Sequence, residues 1–395
     1  MTILQQLTSW LGIARIRFLS IFVHRGWIPN NLVAGPAVFV AEDEYQIIWE
    51  TRQISSAWVT VGGKLYADTL AGNLVLDQKA HKVRVPMEAL DAAGGYELNW
   101  QHTLSNDVAI RYVRRGEVKT KLYNFRAPDF SDGVQIYNIS DTHSNLQPGA
   151  ETAKYWDDKL DLLILNGDII QDMYYPVQRG FALRLAFEIA KGQRPVLYAR
   201  GNHETRGVQA DNDLDRYLGT PGADRWYFTT RLGPLWIAVF DAGEDKLDDH
   251  PEYDGLAYYA QYRDRQTRFF ERVVANAATE FAAEAVEYRL LVSHIPVGYP
   301  SAYREAQAAW AGLANQMNLD LALSGHTHSA VYHPKDSYNS AGGFALNYPL
   351  IVGSRPAHGN AEGIFTAAAV ELKDGGIQAW FTNQGHEIQQ TIAVR

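Results

Sequence analysis

Side chains that can bind metal ions follow five apolar segments between residues 134 and 328. Each segment has the composition of a buried strand and stops at a carboxylate, an amide or an imidazole. The seven candidate metal ligands are Asp141, His143, Asp168, Asn202, His294, His326 and His328. Because ligand sites in sheets of alternating strands and helices lie at the carboxyl ends of strands, this pattern predicts one metal site.

The candidate ligands suit hydrolytic chemistry with two metal ions. Such a site holds each ion through deprotonated or neutral side chains and shares one ligand between them. Carboxylates, neutral imidazoles and the Asn carbonyl meet that requirement, and oxygen and nitrogen ligands favour Zn, Mn or Fe. Cysteine is absent from the chain, which excludes disulfides, thiolate catalysis and Cys-type zinc sites.

The order and spacing of these residues resemble those of the calcineurin-like metallophosphoesterases. The family motifs D-x-H, G-D, G-N-H-E, an isolated H and G-H-x-H stand here as Asp141-Thr-His143, Gly167-Asp168, Gly201-Asn-His-Glu204, His294 and Gly325-His-Thr-His328. The resemblance covers about residues 134 to 385 and rests on the joint occurrence of all five motifs.

The resemblance implies a role for each candidate. The implied cofactors are two divalent metal ions (Mn, Fe or Zn), and the implied ligand sets are Asp141, His143 and His328 for one ion, Asn202, His294 and His326 for the other, and Asp168 as the bridge. A hydroxide between the ions would attack phosphorus, and His203 would act as general acid at the leaving oxygen. The implied activity is hydrolysis of phosphoesters.

Within this family the chain resembles most the purple acid phosphatase branch, because strands precede the domain and its third motif reads RGNHE. One position departs from that branch, where a Tyr ligand to ferric iron stands three residues after the G-D aspartate. This chain has Gln171 there, which favours two divalent ions. Other family members carry Asp at that position, where it orients the GNHE histidine. Asp172, one place further on, is a candidate substitute.

The sequence suggests a structural role for one charged residue near the G-N-H-E motif and leaves two interpretations for the others. We expect Glu204 to brace its loop rather than bind metal. Arg200 and Arg206 flank His203 and would either clamp phosphate or form ordinary salt bridges. The acidic run from 241 to 249 follows a strand, and we expect a solvated loop there, with a loop over the cleft as the alternative.

Two sequence patterns divide the chain. From 36 to about 125, short apolar segments separated by Gly turns predict about seven strands, typical of a fibronectin-III-like β-sandwich. After Gln135, strands alternate with helices, which predicts a layered α/β domain; the family resemblance implies four layers, α/β/β/α. The predicted division is an N-terminal extension (1–30), the sandwich (31–128) and the metallophosphoesterase domain (129–395). Helices are expected near 151–161, 176–191, 259–288 and 302–317.

The overall composition limits partners and location. The net charge of −9 gives no footprint for nucleic acid, and the family resemblance implies a phosphorylated small-molecule substrate. No apolar run is long enough for a transmembrane segment. Residues 1–25 combine apolar residues at helical spacing with Arg15 and Arg17, which favours docking on the protein over a peripheral membrane helix or a signal peptide. We predict a cytoplasmic phosphomonoesterase. A phosphodiesterase and a catalytically silent scaffold are the alternatives, and the sequence leaves the oligomeric state open.

Overall fold

The computed structural model describes residues 32–76, 78–107, 112–210, 213–253, 257–357 and 362–395. The predicted N-terminal extension, 1–30, lies outside these residues. In the part of the chain that is described, no helix is both long and apolar enough to cross a bilayer.

Strands account for most of the regular structure in the described ranges. They are β1 (Leu32–Ala41), β2 (Glu44–Val61), β3 (Lys64–Ala67), β4 (Thr69–Leu70), β5 (Asn73–Leu74), β6 (Gln78–Pro86), β7 (Gly95–Asp107), β8 (Tyr112–Asn124), β9 (Val134–Ile139), β10 (Leu162–Asn166), β11 (Pro195–Ala199), β12 (Phe228–Leu232), β13 (Leu235–Phe240), β14 (Tyr288–Ser293), β15 (Leu321–Ser324), β16 (Val331–His333), β17 (Leu350–Val352), β18 (Thr366–Lys373), β19 (Gly376–Asn383) and β20 (Ile388–Ala393). The α-helices are α1 (Met87–Ala93), α2 (Leu146–Ala153), α3 (Phe181–Ala190), α4 (Tyr259–Ala275) and α5 (Arg304–Ala314).

Two mixed sheets face each other across a shared core. The larger has the strand order β20-β19-β18-β9-β10-β11-β1-β2-β7-β8, and β3 and β6 also pair with β2. The smaller has the order β12-β13-β14-β15-β17-β16. Apolar side chains from both sheets, such as Ile164, Leu197 and Leu290, fill the space between them and are fully buried.

Helices cover the outer faces of both sheets. On the larger sheet, Leu183 of α3 packs in one buried cluster with Leu163 and Val196 of the strands beneath it. On the smaller sheet, Phe270 of α4 and Trp310 of α5 form another cluster with the adjacent strands. Alternate residues of each strand point to opposite faces. Each central strand therefore contributes side chains both to the core between the sheets and to a core beneath the helices. The predicted α/β/β/α layering is confirmed.

The N-terminal region is rich in strands, as predicted, and β2 joins its two halves. The first half of β2 pairs with β1 and β6, and the second half pairs with β3 and β7; the partners change at Ser55. The predicted strand region also contains α1, which ends at Gly94 in a left-handed conformation (φ 63°).

The larger sheet runs without interruption from the N-terminal strands into the domain that carries the motifs. Strand β1 pairs in parallel with β11, with Val38 opposite Pro195. The Gln46 side chain also exchanges two hydrogen bonds with the backbone of Thr220, of 3.0 and 3.1 Å. The two predicted domains are therefore packed together along a continuous sheet.

All four expected helices are shorter than predicted, including α5 (Arg304–Ala314), which was expected at 302–317. Helix α4 ends at Ala275 because Asn276 turns back on it, donating its backbone and side-chain N–H groups to the Arg272 carbonyl at 2.9 Å each. Helix α2 begins at Leu146, before the expected start, with Pro148 in its first turn, where a missing N–H costs nothing. The predicted helix at 176–191 consists of a 3-10 turn, Pro176–Gly180, followed by α3.

Candidate metal centre

The structure brings all seven predicted ligands to one place. Asp141 and His143 follow β9, Asp168 follows β10, and Asn202 follows β11; these strands are parallel neighbours in the larger sheet. The remaining imidazoles, His294, His326 and His328, follow β14 and β15, parallel neighbours in the smaller sheet. The site therefore lies where the carboxyl ends of both sheets meet.

A first group contains Asp141, His143 and His328, whose ligand atoms all lie within 4.8 Å of one another. His143 Nε2 is 2.8 Å from His328 Nε2, and His328 Nε2 is 3.5 Å from Asp141 Oδ1. Ligands about 2.1 Å from a tetrahedral zinc ion lie about 3.4 Å apart. This group therefore fits a single cation.

A second group contains Asp168, His294 and His326, within the same 4.8 Å limit. His294 Nε2 lies 3.1 Å from Asp168 Oδ2, while its Nδ1 donates to the Asn166 carbonyl at 2.7 Å, so that Nε2 is the atom directed at the site. Asn202 joins this group, with its Oδ1 3.0 Å from His326 Nδ1.

Asp168 stands between the two groups. Its Oδ2 is 3.1 Å from His294 Nε2 in the second group and 4.0 Å from His143 Nε2 in the first. The His and Asp side chains of both groups are able to hold metal ions. The chemistry and spacing of the donors thus fit metal ions.

Backbone geometry at the site is unusual for these residue types. Five of the seven candidates have positive φ: Asp141 (55°), His143 (45°), Asp168 (51°), His326 (73°) and His328 (52°). Non-glycine residues adopt this region at an energetic cost that recurs at functional sites. The strained backbone is thus concentrated where the candidate ligands lie.

The glycine before Asp168 is required by close packing. A Cβ on Gly167 would lie 2.6 Å from Gly201 Cα and 2.6 Å from His294 Cγ. Its φ of 77° also favours glycine. The G of the G-D motif therefore lets two ligand-bearing loops and one ligand ring approach each other.

The buried acids and imidazoles polarise one another. Burial opposes ionisation of Asp168, but the nearby His294 and His203 outweigh it and hold the pKa of the carboxyl well below its usual range. Burial lowers the pKa of His294, but Asp168 and Asp141 raise it more, to about 10. The site is strongly charged, and a bound metal ion would displace the imidazole proton.

Glu204 braces the loop, as predicted, and does not face the metal groups. Its carboxylate is fully buried and accepts hydrogen bonds from the backbone N–H groups of Asp168 (2.9 Å), Ile170 (3.1 Å) and Gly201 (3.0 Å). Burial, followed by repulsion from Asp168, raises the pKa of Glu204 to about 7. Glu204 therefore connects the loop of the G-D motif to the loop of the G-N-H-E motif.

His203 forms a third group of possible metal-binding side chains with His143 and Asp168, and its ring centroid is 4.7 Å from that of His143. Its Nδ1 contacts the Gln171 carbonyl and is 3.3 Å from Asp172 Oδ1, so Nε2 is the atom on the open side. Asp172, the candidate substitute for the family's Asp, is thus close enough to orient the His203 ring. Gln171 contributes its backbone carbonyl, with its side-chain amide 3.5 Å from His203 Nδ1.

The expectation of a solvated acidic loop after β13 is wrong for the first part of the run, whereas Leu247 and Asp249 further along are exposed. Asp241 and Glu244 are 1% and 0% exposed, because each pairs with an arginine of the third motif's loop. Asp245 is 3.5 Å from His326 Nε2 and orients that ring. Sequence reasoning missed this function of the acidic run, although its position directly after a strand was a signal.

Comparisons with known proteins agree with this geometry. Residues 134–330 match the family model of the calcineurin-like phosphoesterases, a range that holds all seven candidates and His203. A search of curated proteins gave no match.

Two solved structures show the same fold. A purple acid phosphatase, PPD1, from yellow lupin (Lupinus luteus) seeds has a TM-score of 0.59 at 12% identity, covering 91% of this chain and 74% of that one. A structure of PhoD has a TM-score of 0.50 at 11% identity, covering 93% of this chain and 94% of that one. The chain therefore belongs to the calcineurin-like phosphoesterases, a family of phosphoric ester hydrolases.

Proposed function

We propose that this protein hydrolyses phosphoesters, monoesters in preference to diesters, with two divalent metal ions and with His203 as general acid. One observation carries the proposal: Asp168 lies between two groups of metal-binding side chains, and His203 stands beside them. His203 Nε2 is 3.8 Å from Asp168 Oδ2. A proton donor is thus held next to the point where two cations would share a ligand.

The seven side chains would divide between the ions as their grouping suggests. One ion would be held by Asp141, His143 and His328, and the other by Asn202, His294 and His326. Asp168 would bind both ions. When bound, the ions supply positive charge that activates water and binds phosphoryl oxygens. Mn, Fe and Zn all suit these ligands.

His203 is positioned to hold a proton at Nε2. The Gln171 carbonyl accepts from Nδ1, and Asp172 Oδ1 lies 3.3 Å from the same nitrogen, which stabilises the charged imidazole. A proton on Nε2 can then pass to the leaving oxygen of the substrate. Gln171 occupies the place of the ferric-iron tyrosine, which supports a colourless divalent pair.

An assay of paired aryl phosphates tests the proposal. The protein should hydrolyse an aryl phosphate monoester faster than the matching diester after loading with Mn²⁺, Zn²⁺ or Fe²⁺, and a chelator should abolish both activities. Faster turnover of the diester would favour the phosphodiesterase alternative. Metal-loaded protein without turnover of either ester would favour a silent scaffold.

The proposal also covers the class of substrate, the division into domains and the location of the protein. A phosphorylated small molecule is the proposed substrate, since a net charge of −9 disfavours a polyanion such as nucleic acid. The division into a fibronectin-III-like sandwich (31–128) and a catalytic domain (129–395) is proposed with the qualification that β1 and β11 join them. A cytoplasmic location stays a prediction from the cysteine-free composition.

A further inference from the structure

Arg206 is held rigidly at the edge of the candidate site. It follows the 3-10 turn that contains His203, and its backbone carbonyl accepts from Met173 N at 2.7 Å. Its guanidinium binds the buried carboxylate of Glu244 through Nε and Nη2, the latter at 3.2 Å, and Glu252 lies 3.5 Å from Nη2. The side chain is 15% exposed. Its orientation is therefore set by two acids, one of them inaccessible to solvent.

The third nitrogen of the guanidinium is aimed at the proposed general acid. Arg206 Nη1 lies 3.2 Å from His203 Nε2. His203 Nδ1 is directed at the Gln171 carbonyl, so His203 Nε2 and Arg206 Nη1 face each other at the edge of the site. An acceptor that binds Arg206 Nη1 would therefore also lie next to His203 Nε2.

We propose that this acceptor is a phosphoryl oxygen of the substrate, and that Arg206 thereby selects dianionic phosphomonoesters over diesters. The inference rests on the proposed function, because it takes His203 as the proton donor. A monoester carries three non-bridging oxygens. Two ions held by the candidate ligands would bind two of these oxygens, which would leave the third for Arg206 Nη1. In a diester that third position bears an uncharged alkoxy or aryloxy group, which cannot form a charge-assisted hydrogen bond with the guanidinium.

Arg200 does not have this role, although it also flanks His203 in the sequence. Its Nε and Nη2 bind the buried Asp241 at 3.0 and 2.7 Å, and its guanidinium lies between the rings of Trp226 (5.2 Å) and Tyr262 (5.5 Å). It stabilises the packing behind the site. Of the two arginines that the sequence left undecided, only Arg206 has a nitrogen within hydrogen-bonding distance of His203.

Binding of two simple anions to metal-loaded protein tests the proposal without turnover. Isothermal titration should compare inorganic phosphate with dimethyl phosphate, which lacks the third charged oxygen. Arg206→Met should weaken inorganic phosphate about 10- to 100-fold, the range for one charge-assisted hydrogen bond, and change dimethyl phosphate by less than about 3-fold. Arg206→Lys should recover part of the loss, because it restores the charge without the fixed fork. Arg268→Met, at a side chain 63% exposed on α4, is the matched control and should change neither.

Kinetics separate this proposal from the proposed function. If the proposed function holds, Arg206→Met should lower kcat/KM for an aryl monoester by the same factor as phosphate affinity and leave the diester nearly unchanged. An inactive wild-type protein whose phosphate affinity still depends on Arg206 would refute the function and support the anion site. Unchanged phosphate binding in Arg206→Met and Arg206→Lys, or equal losses for both anions, would overturn the role of Arg206.

Discussion

Replacing Asp168 by Asn removes one negative charge at the point where the two ligand groups meet. The backbone should tolerate the change, because Asn is among the few residues that adopt a φ near 51° readily. The amide oxygen can still accept the hydrogen bond that Asp168 Oδ1 receives from His203 N at 2.9 Å. Asp168→Asn therefore tests charge and bridging with little change in shape.

The geometry gives the size of the effect. Asp168 Oδ2 lies 3.1 Å from His294 Nε2 and 4.0 Å from His143 Nε2, so the lost charge is close to both groups. A unit charge about 4 Å from a divalent cation contributes about 8 kcal/mol at an effective dielectric constant of about 20. Since about 1.4 kcal/mol is tenfold in affinity, we expect both ions to bind at least about 10³-fold more weakly.

The loss of metal affinity is measured by equilibrium dialysis against buffered free Mn²⁺ or Zn²⁺, followed by elemental analysis. Asp168→Asn should weaken both ions together, whereas His143→Ala should weaken one more than the other. Asp172→Asn is the matched control, because Asp172 contacts His203 and lies outside the metal-binding groups. Loss of a single ion from Asp168→Asn, or equal small losses in Asp168→Asn and His143→Ala, contradicts the bridging role.

Further predictions concern the residues around this bridge. His203→Ala should reduce turnover by about two to four orders of magnitude, the usual scale for a general acid, with bound metal intact; unchanged turnover removes it from the mechanism. Asp245→Asn should weaken metal binding about 10- to 100-fold, because Asp245 orients His326 from 3.5 Å; unchanged affinity by the same dialysis refutes this. After chelation, stability against urea should fall as pH rises from 6.5 to about 10, because Asp168 raises the pKa of His294 from 6.5 to about 10 and the pair is lost when that imidazole deprotonates. Constant or rising stability over that range contradicts the ion pair.

The sequence predicted the layered fold and the identity of the candidate ligands because both depend on local patterns. An apolar segment that stops at a polar residue, as at Ile139 before Asp141, marks a strand end whatever its neighbours are. Glycines at 167 and 201 mark sharp turns in the same way. Once such segments alternate with helices, parallel pairing brings their carboxyl ends together.

The sequence did not reveal which residues distant along the chain contact each other in the fold. The pairing of Val38 with Pro195 joins segments whose separate compositions give no sign of each other. Asp241 and Glu244 looked like members of a solvated run because their arginines stand 41 and 38 positions away in the sequence. Burial of a charge is decided by its partner, and the partner is found only in the folded chain.

The metal content of the protein tests the central claim most directly. Elemental analysis of protein purified without added metal should show close to two ions of Mn, Fe or Zn per chain, as expected for six candidate ligands grouped around Asp168. Chelation followed by re-addition should restore the same number. A chain that binds at most one ion after incubation with each of the three metals contradicts the two-metal account.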